Sequence, residues 1–180
     1  APWGTQGVNW NISDNVFSYR YADGSQGSVS VYGPGNLTAL VGSAPTGNGQ
    51  IVNVLTGSTG SERFASLGAT DLIWTAGGAD EIAIWDPGGE ISVQDEFSSD
   101  DFFSFIVDGR FGFDATDWLS NFELRSNGFG STVISTIVEN VPVTDLVVPG
   151  DYTINSLLVD DSVPGQVRLY LNPDLPVVSL

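Results

Sequence analysis

Gly60-Ser61-Glu62-Arg63-Phe64, Ala69-Thr70-Asp71-Leu72-Ile73 and Gly78-Ala79-Asp80-Glu81-Ile82 repeat one phrase every nine residues. Asn53 marks the same position one unit earlier, and Gly89-Glu90 carries the series on with a slip. An apolar residue follows two places after each mark: Leu55, Phe64, Ile73, Ile82 and Ile91. A nine-residue period of this kind is a solenoid signature, in which about three residues form a short strand and about six form a turn. Two units complete one coil, so positions eighteen apart stack along one edge. Glu62 is then expected against Asp80, and Asp71 against Glu90. Stacked carboxylates repel one another unless a hard cation lies between them, and Ca2+ takes oxygen ligands of this kind. Glu62, Asp71, Asp80 and Glu90 are therefore the candidate metal ligands. The same spacing also suits an antiparallel meander, because short strands at regular intervals are common in sandwiches.

Outward from this segment, period-two alternation broken by Gly, Pro, Asn and Asp predicts many short strands. The clearest is a hairpin of residues 16–22 and 27–32 around Asp23-Gly24, a turn pair in which glycine accepts positive φ. Further strands are expected at 50–55, 71–75, 81–85, 90–94, 102–107, 122–125, 132–139, 145–148, 152–159 and 166–171. One short helix is expected at 115–121, capped by Asp114. Residues 33–49 read as a long loop, and 140–150 as a boundary ahead of the last strands, where Pro142 and Pro149 suit strand ends. The expectation is one all-β domain over residues 1–180, a β-sandwich or jelly-roll-like fold with room for a short β-roll, or solenoid segment, at 51–95.

The nonads resemble a degenerate RTX (repeats-in-toxin) calcium β-roll, whose unit runs Gly-Gly-x-Gly-x-Asp-x-apolar-x. Residues 89–109, GGEISVQDEFSSDDFFSFIVDG counted from Gly88, are similar to the segment that caps such arrays. The resemblance spans residues 51–109. It implies secretion without an N-terminal leader, calcium-triggered folding outside the cell, and adhesins or surface layers among the relatives. The C-terminal Asp174, Leu175, Val177, Val178 and Leu180 are similar to the secretion signals of that family. The chain departs from the pattern in places: a Gly-Gly pair at Gly77-Gly78 is out of register, and two marks are Glu62 and Asn53.

Composition narrows the function. The chain carries 22 acidic and 5 basic residues, a formal net charge of −17, and every basic residue is arginine. Such a surface repels phosphate backbones and anionic lipid, which argues against nucleic acid and membrane surfaces as partners. No apolar run approaches the ~18 residues of a membrane span. Cysteine, methionine, histidine and lysine are absent. That excludes disulfides, thiolate nucleophiles, Ser-His-Asp triads, imidazole metal sites and lysine Schiff bases. Ala1 is what removal of a leader, or of an initiator Met before a small residue, would leave.

Carboxylates cluster at Asp95-Glu96, Asp100-Asp101, Asp108, Asp114-Asp117 and Asp160-Asp161 and offer acids for a glycosidase. With so many acids, spacing alone selects no pair, and turn roles explain them as readily. Trp3, Trp10, Trp74, Trp85 and Trp118 offer stacking surfaces for a glycan, or core. The sequons at Asn11 and Asn36 are three-residue patterns that arise readily by chance. Both chain ends are apolar and strand-like, with no lysine guarding an edge. The reading that results is a non-enzymatic extracellular structural or adhesive protein, a cell-surface filament or layer subunit stabilised by calcium. It would pair with copies of itself through edge strands. A carbohydrate-binding module is the alternative, and a glycan-active hydrolase using paired carboxylates the second.

Overall fold

The computed structural model describes residues 52–172 throughout and, before them, the strands β1 (Val8–Ser13), β2 (Val16–Tyr21), β3 (Gln26–Ser30) and β4 (Ala39–Val41). The later strands are β5 (Val52–Thr56), β6 (Arg63–Leu67), β7 (Thr70–Trp74), β8 (Glu81–Asp86), β9 (Glu90–Val93), β10 (Phe102–Ile106), β11 (Phe122–Ser126), β12 (Ser131–Val138), β13 (Val141–Pro149), β14 (Leu157–Asp160) and β15 (Gln166–Leu171). The fold is all-β, with two mixed sheets around one core. A nine-stranded sheet runs β11-β12-β13-β9-β7-β5-β1-β2-β3, and a six-stranded sheet runs β14-β15-β10-β8-β6-β4.

The middle of the molecule is a parallel roll. Alternate strands go to opposite sheets: β5, β7 and β9 pair in parallel in the larger sheet, and β4, β6, β8 and β10 in the smaller. Asn53 lies beside Asp71 and Arg63 beside Glu81, each eighteen residues along. The antiparallel meander expected from the same spacing is not what forms here. Each coil needs a turn at both edges, and glycine supplies them: a Cβ on Gly78 would sit 1.9 Å from the Gly60 carbonyl oxygen. One on Gly89 would sit 2.0 Å from that of Ala69. Only a residue without a side chain allows turns to stack so closely.

The repeat's apolar residues form the core for a simple reason. Side chains alternate along a strand, so the mark and the residue two places on share a face. Leu55 stacks on Ile73 and Phe64 on Ile82, all at most 1% exposed. Phe103 and Phe105 of β10 join Ile82 and Ile84 and face Leu169 and Val167 of β15. Fully burying side chains of this size is worth about 1.5–3 kcal/mol each. Phe97, Phe111, Phe113 and Phe122 extend the aromatic cluster around Phe103 and Phe105.

The antiparallel strands flank the roll. β11, β12 and β13 form a meander on the β9 side, and β14 and β15 form a hairpin on the β10 side. Residues 140–150 are thus no boundary: they form the inner strand β13, entered by a tight turn with Glu139 and Asn140 at positive φ. Pro142 is accommodated where the β12–β13 register shifts, and Pro149 at the strand end. The expected strand 152–159 shortens to β14, preceded by a 3-10 turn at Ile154–Ser156. The expected helix is one 3-10 turn, Trp118–Asn121. Asp114 caps nothing there; its carboxylate accepts from the Thr116 N–H (2.8 Å) and hydroxyl, a local turn. The 16–32 hairpin forms with Arg20 opposite Gln26, while its turn residues lie outside the described residues. The expected loop 33–49 contains β4, and its remainder lies outside the described residues as well. Among the described residues no helix is long and apolar enough to cross a membrane.

Candidate functional site

Glu62, Asp80 and Asp101 each stand one residue ahead of a strand of the smaller sheet, in phase with the inward apolar residues, and all are buried. They form a ladder in which a carboxylate accepts the backbone N–H of its counterpart one coil earlier. Asp80 Oδ1 accepts from Glu62 N–H at 2.8 Å, and Asp101 Oδ1 from Asp80 N–H at 2.9 Å. Two of the three also close their own turns. Glu62 accepts from the Ser58 N–H at 3.1 Å and from the Ser58 hydroxyl. Asp101 Oδ2 accepts from Ser98 N–H at 2.6 Å. The N–H that would do the same for Asp80, that of Ala76, goes instead to Asp95 Oδ2 at 2.7 Å. Asp80 Oδ2 is therefore buried with no hydrogen-bond partner.

The second row belongs to the larger sheet. Asp71 is fully buried, and its Oδ1 accepts from Asn53 Nδ2 at 2.7 Å, while Oδ2 has no partner. Burial pushes the Asp71 carboxyl up to about 6; the Ser66 hydroxyl, close by but outside hydrogen-bond geometry, and the Asn53 amide oppose the rise. Burial likewise pushes Asp80 up to about 7; the Glu62 N–H opposes this, and the nearby Asp101, Glu62 and Asp95 charges add to it. Desolvation disfavours the charged form, and neighbouring like charges disfavour it further.

Glu62, Asp71, Asp80 and Glu90 do not converge on one point. Glu62 and Asp80 share an edge as expected. Asp71 pairs in register with Ile91 rather than Glu90, because the turn through Pro87, Gly88 and Gly89 lengthens that coil from eighteen residues to twenty. Glu90 is left exposed beside Asp145 of β13. Among the described residues no three acidic side chains come together in a group able to hold a metal. The orphaned oxygens of Asp71 and Asp80 are single positions, each suited to a proton or to one ligand contact of a cation. Asn53 and Asp101 complete the two rows, and Asp95 accepts from the Thr75 and Ala76 N–H groups beside them. Asn53 appears in the sequence as a degenerate mark, whereas Asp95 and Asp101 fall beyond the regular period and carry no repeat signal.

The other acidic pairs act mostly as turn residues. Asp108 is held below the usual carboxylate range chiefly by the Arg110 N–H, and Asp114 and Asp160 by Thr116 and Ser162. Trp74, Trp85 and Trp118 are half-buried, and Trp118 donates its indole N–H to Asp161 at 2.8 Å. The side chains of Trp3, Trp10, Asn11 and Asn36 lie outside the described residues.

A cleft of about 710 Å3 opens beside the carboxylate edge, where the 96–99 turn meets the end of β13 and the end of β15. Glu96, Ser98, Ser99, Tyr152 and Asn172 supply its polar groups, over a floor that includes Phe97 and Leu171. Nothing in the repeat points to it, since it is assembled from three separate parts of the chain. No protein-family model, curated protein or solved structure matches this chain.

Proposed function

We propose that this protein is a non-enzymatic extracellular structural or adhesive subunit that builds a cell-surface filament or layer from copies of itself, with calcium as a stabilising ion. The observation that supports this most directly is that two sheet ends have no further strand beside them among the described residues. The strands at the apolar chain ends, β1, β2 and β15, are interior strands paired on both sides. The free edges lie elsewhere: β11 ends the larger sheet and β14 the smaller, with no further strand in the sheet order. Unpaired strand edges are templates for another chain, and this sequence has no lysine to blunt them. Phe129, 93% exposed, stands at the tip of the β11–β12 hairpin next to one of those ends. A roll of parallel coils also suits a structural role, because its regular backbone is extended by adding units.

Calcium enters through the two carboxylate rows. A bound cation would relieve the repulsion around Asp80 and engage the partnerless oxygens of Asp71 and Asp80. Sedimentation of the purified protein in millimolar calcium, and again in excess chelator, tests both parts of the reading. Large assemblies that dissolve in chelator support it. A monomer under both conditions overturns self-assembly, and assemblies indifferent to chelator overturn the calcium dependence alone.

A further inference from the structure

The cleft at the end of the roll has the features of a recognition site that filament building does not require. Its three walls are fixed by hydrogen bonds that each engage a backbone group. Thr75 donates its hydroxyl to the Glu96 carbonyl at 3.0 Å, and Asp101 accepts from the Ser98 N–H at 2.6 Å. Tyr152 N–H donates to the Thr132 hydroxyl oxygen at 3.0 Å, and that hydroxyl donates to the Gly150 carbonyl at 2.9 Å. Asn172 N–H donates to the Ser156 carbonyl at 2.8 Å. The Tyr152 ring lies so close over Gly150 that a Cβ there would fall 2.9 Å from Cε2. The ring is therefore held in place by packing.

Within this frame, several polar groups face solvent at the cleft, Glu96 and Ser99 exposed and Tyr152 half-buried. The Glu96 carboxylate, the Ser99 hydroxyl and the Tyr152 hydroxyl make no hydrogen bond or ion pair with the described residues. Glu96 lies near enough to Tyr152 that its charge adds to burial in raising the phenol's pKa. The cleft volume falls within the roughly 300–1,000 Å3 of small-ligand sites. We infer that the cleft lined by Glu96, Tyr152, Ser99 and Asn172 binds a neutral sugar, at the scale of one or two pyranose residues. A pyranose has an apolar C–H face that suits an aromatic ring and a rim of adjacent hydroxyls that suits a carboxylate, which accepts two hydrogen bonds at once. Anionic ligands are repelled by Glu96 and by the net charge of −17. A purely apolar ligand would make no use of the Glu96 carboxylate, which is exposed at the rim of the cleft.

Calorimetric titration of the whole chain with cellobiose, lactose, maltose and N,N′-diacetylchitobiose tests the inference, with choline as the cationic comparison. At least one disaccharide is expected to bind, and Glu96→Gln is expected to weaken it at least tenfold at an unchanged melting temperature. Tyr152→Phe tests the hydroxyl with the ring kept, and Tyr152→Ala tests the ring itself. No binding by any of the disaccharides overturns the inference. So does disaccharide binding that survives both Glu96→Gln and Tyr152→Ala, or binding of choline alone. The readout is independent of self-assembly, since a monomer that binds sugar sinks the filament reading and spares this one.

Discussion

Asn53 and Asp71 lie on consecutive coils of the roll, and the amide of one donates to the carboxylate of the other across 2.7 Å, both side chains at 0% exposure. A buried carboxylate without a donor pays a desolvation cost of the order of 1–3 kcal/mol, more when charged. Asn53→Leu is therefore expected to destabilise the fold by about 2–3 kcal/mol at pH 8. The loss should shrink at pH 5, where the Asp71 carboxyl, already raised to about 6, is neutral. Urea denaturation at the two pH values checks this, and an equal loss at both would show that Asp71 is not the group left exposed to the change.

Stability should rise on mild acidification. Folded Asp71 and Asp80 hold their protons up to about 6 and 7, whereas their ordinary value is 3.8. Between those limits the folded state binds more protons than the unfolded state. The contribution is therefore complete below the ordinary value, declines as pH rises above it, and is gone once pH has passed through the folded values of about 6 and 7. Asp108, Asp114 and Asp160, held low by their turn hydrogen bonds, act in the opposite sense and limit the gain at strongly acid pH. Thermal melts should show a maximum near about pH 4, at the ordinary carboxylate value where the two opposing sets of groups meet. Asp80→Asn, whose amide keeps an acceptor for the Glu62 N–H, should raise stability at pH 7.5 by about 2 kcal/mol and flatten the profile. A variant with the parent's pH dependence would show that Asp80 does not titrate in this range.

Gly77 and Gly78 separate conformational strain from collision. Both have positive φ, at 98° and 111°, but a Cβ on Gly77 meets nothing within 4 Å while one on Gly78 strikes the Gly60 carbonyl. Gly77→Ala should cost about 1–2 kcal/mol from the backbone conformation alone. Gly78→Ala should cost about 4 kcal/mol or more, because the coils must move apart. Circular dichroism melts of the two variants measure the difference. Equal losses would mean that the turns are not stacked as described.

Phe129 offers a test of association that leaves the fold alone. Its backbone is fixed by Asn127 Oδ1, which accepts from the N–H groups of Phe129 at 2.8 Å and Ser131 at 3.1 Å, while its ring is in solvent. Phe129→Ser should leave the melting temperature within about 1 °C, given the ±0.5 kcal/mol typical of surface changes. It should shift the sedimentation profile towards smaller species. An unchanged distribution would remove Phe129 from the assembly contact.

Much of the roll is legible because it is local. The nine-residue recurrence of Asn53, Glu62, Asp71 and Asp80, with apolar partners two places on, specifies which side chains face inward whatever the strands pair with. Alternation along an extended backbone requires it. The absence of cysteine, histidine and lysine likewise needs no structure to exclude whole classes of chemistry.

What the sequence left open, the tertiary pairing decided. A nine-residue spacing serves a meander or a roll equally well, and only the parallel registers Asn53–Asp71 and Arg63–Glu81 distinguish them. The two added residues before β9 bring Ile91 rather than Gly89 or Glu90 beside Asp71, a slip whose consequence depends on which strand lies next door. The partnerless oxygen of Asp80 arises because Asp95, fifteen residues on, takes the Ala76 N–H. The cleft joins Glu96, Tyr152 and Asn172 from distant parts of the chain. Local periodicity sets the face a side chain occupies; its neighbours on that face, and hence its charge state and its ligands, depend on contacts between residues that the sequence keeps far apart.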